Sequence, residues 1–162
     1  MAELSLCCVV KSNELPIGYQ TLIWDVLRNL FIMTDDVLTI LLLFALLQVK
    51  HTLADFFMQT QRMLSNRSVY ANFGRVQHSG IHAAFSLIVA LIVGLPLTVA
   101  MAFFVIDAVL HFHIDWLKGS YSERTGDGPE NKGFWRAFGV DQLAHQLTYI
   151  GMIWVWLAMF TG

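Results

Sequence analysis

Four apolar stretches of this chain each carry two side chains of metal-ligand type one helical turn apart: His51 with Asp55, His78 with His82, His111 with Asp115, and Asp141 with His145. A spacing of i, i+4 puts both members of a pair on one face of a helix. Ionisable groups in such surroundings are costly unless they bind something or one another. The pattern therefore asks for helices whose polar faces meet in a shared interior centre.

The surroundings are those of a membrane protein. Of 162 residues, 56% are hydrophobic and 14% charged, against roughly 25% charged in an ordinary soluble domain. Mean hydropathy is +0.58. A net charge of -2 with no basic stripe or tail gives no sign of nucleic-acid binding, and no nucleic-acid partner is expected. Cys7 and Cys8 are adjacent and belong to no CxxC, so neither a disulfide framework nor a zinc knuckle is indicated. Acylation at that pair rests on a weak motif only.

The fold expected is all-α: a polytopic membrane protein with a four-transmembrane-helix bundle, preceded by a short amphipathic helix. Residues 1–34 form the N-terminal segment. Within it 19–33 read as an interfacial helix with Leu22, Ile23, Val26, Leu27, Leu30 and Phe31 on one face. Thr34, Asp35 and Asp36 offer N-cap chemistry to the next helix. Residues 35–162 hold the four spans, at about 37–58, 76–95, 97–117 and 138–160, each near the ~20 residues that cross a bilayer. Gly94-Leu95-Pro96 makes a tight reversal, with the proline in the first turn of the third span. The segment SYSERTGDGPENKG reads as the longest hydrophilic loop.

Basic residues give an orientation. Arg62, Arg67 and Arg75 follow the first span; Lys118, Arg124, Lys132 and Arg136 follow the third. The positive-inside rule places loops 59–75 and 118–136 in the cytoplasm and both termini outside. Trp116 and Trp135 suit the membrane interface. The basic residues are most simply topology determinants, and a second role is to draw an anionic headgroup to the mouth of the site.

In an up-down-up-down bundle all four pairs fall at the cytoplasmic end. At ~1.5 Å per residue, His78 and His111 lie roughly 25 Å and 24 Å from the turn between their helices. Five histidines and three aspartates suit Zn, Mn or Fe rather than Ca or Mg. Eight ligands exceed the four of one tetrahedral site, which leaves room for two ions. Gln59, Asp107, His113 and Gln142 are the candidates for supporting these ligands, by orienting their rings or bridging helices. No phosphate-binding glycine loop, GxSxG or HExxH is present.

The segments KHTLADFFMQTQRM, HSGIHAAFSL, HFHIDWLKG and FWRAFGVDQLAHQLTY resemble, in that order, the motifs of the DUF3307 family of small bacterial and phage integral membrane proteins. The resemblance spans roughly residues 47–152. It implies a membrane fold, in the bacterial inner membrane, and draws attention to the same eight residues. It supplies no reaction. From the residues, the activity expected is metal-dependent hydrolysis of a lipid or lipid-linked substrate near the cytoplasmic face, with no catalytic base assigned. The competing readings are a metal-ion or proton transporter or sensor, and a non-catalytic scaffold. Membrane lipids are the expected partners, and self-association is left open.

Overall fold

The computed structural model describes residues 17–160, so Cys7 and Cys8 lie outside the described residues. All regular structure among those residues is helical. Helix α1 runs Ile17–Thr52 and passes into a π-helical segment, Leu53–Phe57. A short α2 (Gln61–Leu64) precedes three long helices, α3 (Phe73–Ile92), α4 (Leu97–Thr125) and α5 (Lys132–Phe160).

The chain divides into two compact units, Met1–Leu38 and Thr39–Gly162. In the first, the expected cap at Thr34–Asp36 does not start a helix, because the backbone is already helical there. No glycine or proline occurs between Gly18 and Gly74. Extending a helix through three ordinary residues is cheaper than nucleating a new one. Of the expected apolar face, Leu22, Ile23 and Val26 are exposed; the side chains of Leu27, Leu30 and Phe31 lie outside the described residues.

The second unit positions the site. Helices α3 and α4 form a hairpin whose turn depends on Gly94 at φ 86°, where a side chain would be strained. The Leu95 amide donates to the Ala90 carbonyl at 2.9 Å, and Pro96 occupies the N-cap of α4, one position earlier than expected. Helix α5 returns along α4. At the turn end, Leu43, Leu47, Val89, Val99, Phe103, Met152 and Ile153 share one apolar core. Buried polar residues occupy the opposite half: His51, His78, His82, His111, Asp141 and His145.

The two basic segments are more ordered than expected. Helix α4 continues through SYSERT to Thr125 and stops at Gly126, so only residues 126–131 connect it to α5. The segment 58–72 is seated on the bundle. Arg75 is 2% exposed and its Nη1 donates to the carbonyls of Val69 and Tyr70, both at 3.1 Å. The Trp116 indole donates to the Ser68 carbonyl at 3.0 Å. Gly119 lets this strap approach α4, since a Cβ there would meet the Arg67 carbonyl oxygen at 2.6 Å. Arg75 and Trp116 are thus structural ties to the strap.

Two segments, Val37–Phe57 and Leu97–Thr125, are long and apolar enough to cross a membrane. Only 28% of the apolar window in each is buried, whereas the core helix of a soluble protein is mostly covered.

Candidate metal centre

Each element delivers its pair to the polar end of the second unit. Helix α1 and the π-helical segment bring His51 and Asp55, α3 brings His78 and His82, α4 brings His111 and Asp115, and α5 brings Asp141 and His145. The depths inferred from the α3–α4 turn agree with the outcome, for the His78 and His111 rings lie 5.1 Å apart.

The five imidazoles form a continuous cluster. His111 stacks on His82 at 3.7 Å and on His145 at 4.1 Å. His78 meets His82 at 4.6 Å, and His51 lies 5.0 Å from His145. Asp55 is the hub among the carboxylates. Its Oδ1 lies 3.1 Å from His82 Nε2 and 3.2 Å from His78 Nε2, and its Oδ2 lies 3.2 Å from His51 Nε2. The π-helical turn carries this residue, and such turns occur frequently at functional sites. Asp115 sits between three rings, 3.5 Å from His78, 3.6 Å from His111 and 3.6 Å from His145. Asp141 Oδ1 is 3.8 Å from His145 Nε2.

Several of these separations are too long for hydrogen bonds. Two ligands at ~2.1 Å from a tetrahedral ion are themselves about 3.4 Å apart, which is the range seen here. Three overlapping groups have ligand atoms within 4.8 Å of one another: Asp55, His78, His82 and His111; His51, His111 and His145; Asp115, Asp141 and His145. Together they contain all eight residues singled out from the sequence. Several atoms are also left without a hydrogen bond among the described residues. Both nitrogens of His111, the Nδ1 atoms of His78 and His82, Nε2 of His145 and Oδ1 of Asp141 are buried in this state. Buried polar atoms are normally satisfied, so the donor set fits an ion that would bind there.

The four supporting candidates divide. Gln142 bridges the helices: its Oε1 lies 3.2 Å from His51 Nε2, and its Nε2 donates to Asp55 Oδ2 at 3.3 Å. Gln59 Nε2 lies 3.3 Å from His78 Nε2. Asp107, expected to orient a ligand ring, serves other partners first. Its Oδ2 accepts from Lys50 Nζ and from Ser86 Oγ, both at 2.6 Å, while its Oδ1 stays 4.0 Å from His111 Nδ1. His113, two residues from His111 and so on a different face of α4, takes the bridging role and not the ring-orienting one. It lies outside the cluster, exposed, with Nε2 3.1 Å from the Tyr70 hydroxyl and Nδ1 2.7 Å from the Val109 carbonyl. Two residues along a helix turn its side chain about 200° away from His111.

Sequence reasoning missed the layer beneath the rings. Lys50 is only 4% exposed and lies 4.4 Å from the Tyr149 ring centroid. The Tyr149 hydroxyl is 2.9 Å from His51 Nδ1 and, being both donor and acceptor, holds either tautomer of that ring. A lysine inside an apolar run was the available signal. At the opposite, outer side, Arg67, Lys118, Asp55, Asp115 and Asp141 line a polar cavity of about 50 Å³. Lys118 Nζ is 3.7 Å from Asp141 Oδ2.

No curated protein and no solved structure matches the chain. Residues 42–161 match the family described as Protein of unknown function (DUF3307), and the chain belongs to that family.

Proposed function

We propose that this protein is a four-span protein of the bacterial inner membrane that holds one or two divalent transition-metal ions, Zn, Mn or Fe, and hydrolyses a lipid or lipid-linked substrate at the cytoplasmic face. The observation that carries this reading is His111, fully buried between two other imidazoles with neither nitrogen hydrogen-bonded. An isolated unsatisfied polar group costs about 1–3 kcal/mol. A bound cation removes that cost for several of these atoms at once.

The membrane part of the proposal draws on the apolar, mostly uncovered surfaces of Val37–Phe57 and Leu97–Thr125. Helices α3 and α5 extend the argument, with Ile88, Leu91 and Ile92 on one and Leu143, Leu147, Ile150 and Trp154 on the other exposed. The basic segments 59–75 and 118–136 lie on the cytoplasmic side in this reading, with the termini outside. A bound metal would lower the pKa of a water and polarise the scissile group. Among the chain's own groups, the carboxylates of Asp55, Asp115 and Asp141 border the small polar cavity. One of them, if free of the metal, would serve as the general base of the hydrolysis.

A metal-ion or proton transporter or sensor is the competing function, and one observation weighs against a continuous polar route across the unit. Beyond the Lys50–Asp107–Ser86 layer, the turn end of the unit is filled by the apolar core. The deciding experiment is elemental analysis of detergent-purified protein beside a His78→Ala/His82→Ala variant. It is followed by product release from a bacterial lipid extract with and without chelator. Stoichiometric metal lost in the variant, with chelator-sensitive release, is the expected result. A metal-free wild type refutes the reading and leaves a polar cluster that only joins helices.

A further inference from the structure

Between α4 and α5 lies a cavity of about 430 Å³, within the usual size range of a small-molecule site. Ile114, Leu117, Tyr121, Val140 and Ala144 give it apolar walls, while Lys118, Arg136 and Asp141 also border it. Lys118 and Asp141 line the small polar cavity as well, with Asp55 and Asp115. The apolar groove and the mouth of the candidate metal centre therefore share a boundary. Space in the groove comes from two small residues on one face of α5, Ala137 and Ala144.

We propose that this groove seats an acyl or isoprenoid chain of a phosphate-headed anionic lipid, with the phosphate held by Lys118 and Arg136 beside Asp141. The inference rests on the hydrolase reading, because it makes this lipid the substrate class. It also rests on charge. Lys118 lies on the shared boundary, with Arg136 on the groove side and Arg67 on the side of the polar cavity, and guanidinium and ammonium groups bind phosphate through charge-assisted hydrogen bonds. The carboxylates of Asp55, Asp115 and Asp141 would repel the headgroup less with their charge neutralised by a bound cation. The polar cavity is too small for more than the reacting end of such a molecule, so the chain has to lie in the groove.

The test is native mass spectrometry of the full chain in detergent, with metal content measured on the same samples. The probes are dioleoyl phosphatidic acid, dioleoyl phosphatidylcholine and inorganic phosphate. One phosphatidic acid per chain is expected, in preference to phosphatidylcholine and not displaced by equimolar phosphate. Ala137→Trp fills the groove and Arg136→Glu reverses an exposed charge; each is expected to weaken retention on the order of tenfold with metal content unchanged. Equal retention of the two lipids, displacement by phosphate alone, or indifference to both substitutions overturns the groove proposal even where metal is present. Absence of metal overturns the hydrolase reading instead, so the two failures are told apart.

Discussion

Replacing His111 by leucine changes stability in opposite directions depending on whether the histidines hold an ion. The ring is fully buried, stacked at 3.7 Å and 4.1 Å between His82 and His145, and neither nitrogen has a hydrogen-bond partner. Without metal, leucine removes an unsatisfied polar group, a gain of about 1–3 kcal/mol. At roughly 2–4 °C per kcal/mol for a chain of this size, the midpoint of thermal unfolding rises by about 2–12 °C. With metal, His111 supplies a ligand to an ion. An ion present at a hundred times its dissociation constant contributes about 2.7 kcal/mol. Loss of a ligand that abolishes binding lowers the midpoint by roughly 5–11 °C. The assay is thermal unfolding of detergent-purified protein, wild type and His111→Leu, each with added metal and with chelator. The metal account predicts that chelator lowers the wild-type midpoint and leaves the variant unmoved. A variant more stable than wild type in both conditions, with chelator inert on each, refutes it.

Asp55→Asn keeps the shape of the hub but removes its charge, and metal retention measured by elemental analysis is expected to fall by at least the roughly 10-fold that loss of a mere ligand-orienting partner brings. Lys50→Met leaves the Asp107 carboxylate buried without its ammonium partner, 2.6 Å away in the wild type, and lowers unfolding stability by about 3–5 kcal/mol. The double variant Lys50→Met/Asp107→Leu recovers most of that loss; a double variant as unstable as the single one would show that the pair is not coupled. Gly119→Leu pushes the strap off α4, because even a Cβ meets the Arg67 carbonyl at 2.6 Å, and limited proteolysis should then cut within residues 58–72. His113→Ala, at an exposed position, leaves metal content unchanged.

How much of this was legible in the sequence depended on whether the signal was periodic or a single contact. The i, i+4 spacing of His51/Asp55, His78/His82, His111/Asp115 and Asp141/His145 gave the polar faces that meet, and the Gly94–Pro96 turn gave the shared depth of His78 and His111. Both are properties of a helix and carry over directly into three dimensions. The Lys50–Asp107–Ser86 contact joins three helices, and no local spacing encodes which lysine reaches which carboxylate. The same limit explains Arg75. A count of basic residues treats it as a loop charge, yet it lies under the strap with its charge turned inward. The π-helical turn at Leu53–Phe57 had no composition cue. Helix ends misled for a different reason. Asp and Thr at 34–36 can cap a helix, and the polar run SYSERT can form a loop, but neither contains the glycine or proline that would force a break.

One ion, or two, would lie among the five imidazoles and three carboxylates. X-ray absorption at the metal edge of detergent-purified protein reads this directly. The prediction is an edge from Zn, Mn or Fe with an imidazole-rich nitrogen and oxygen shell, at about 2.0–2.2 Å if the ion is zinc, lost in His78→Ala/His82→Ala. An edge no higher than that of the double variant, or a shell of water oxygens alone, contradicts it.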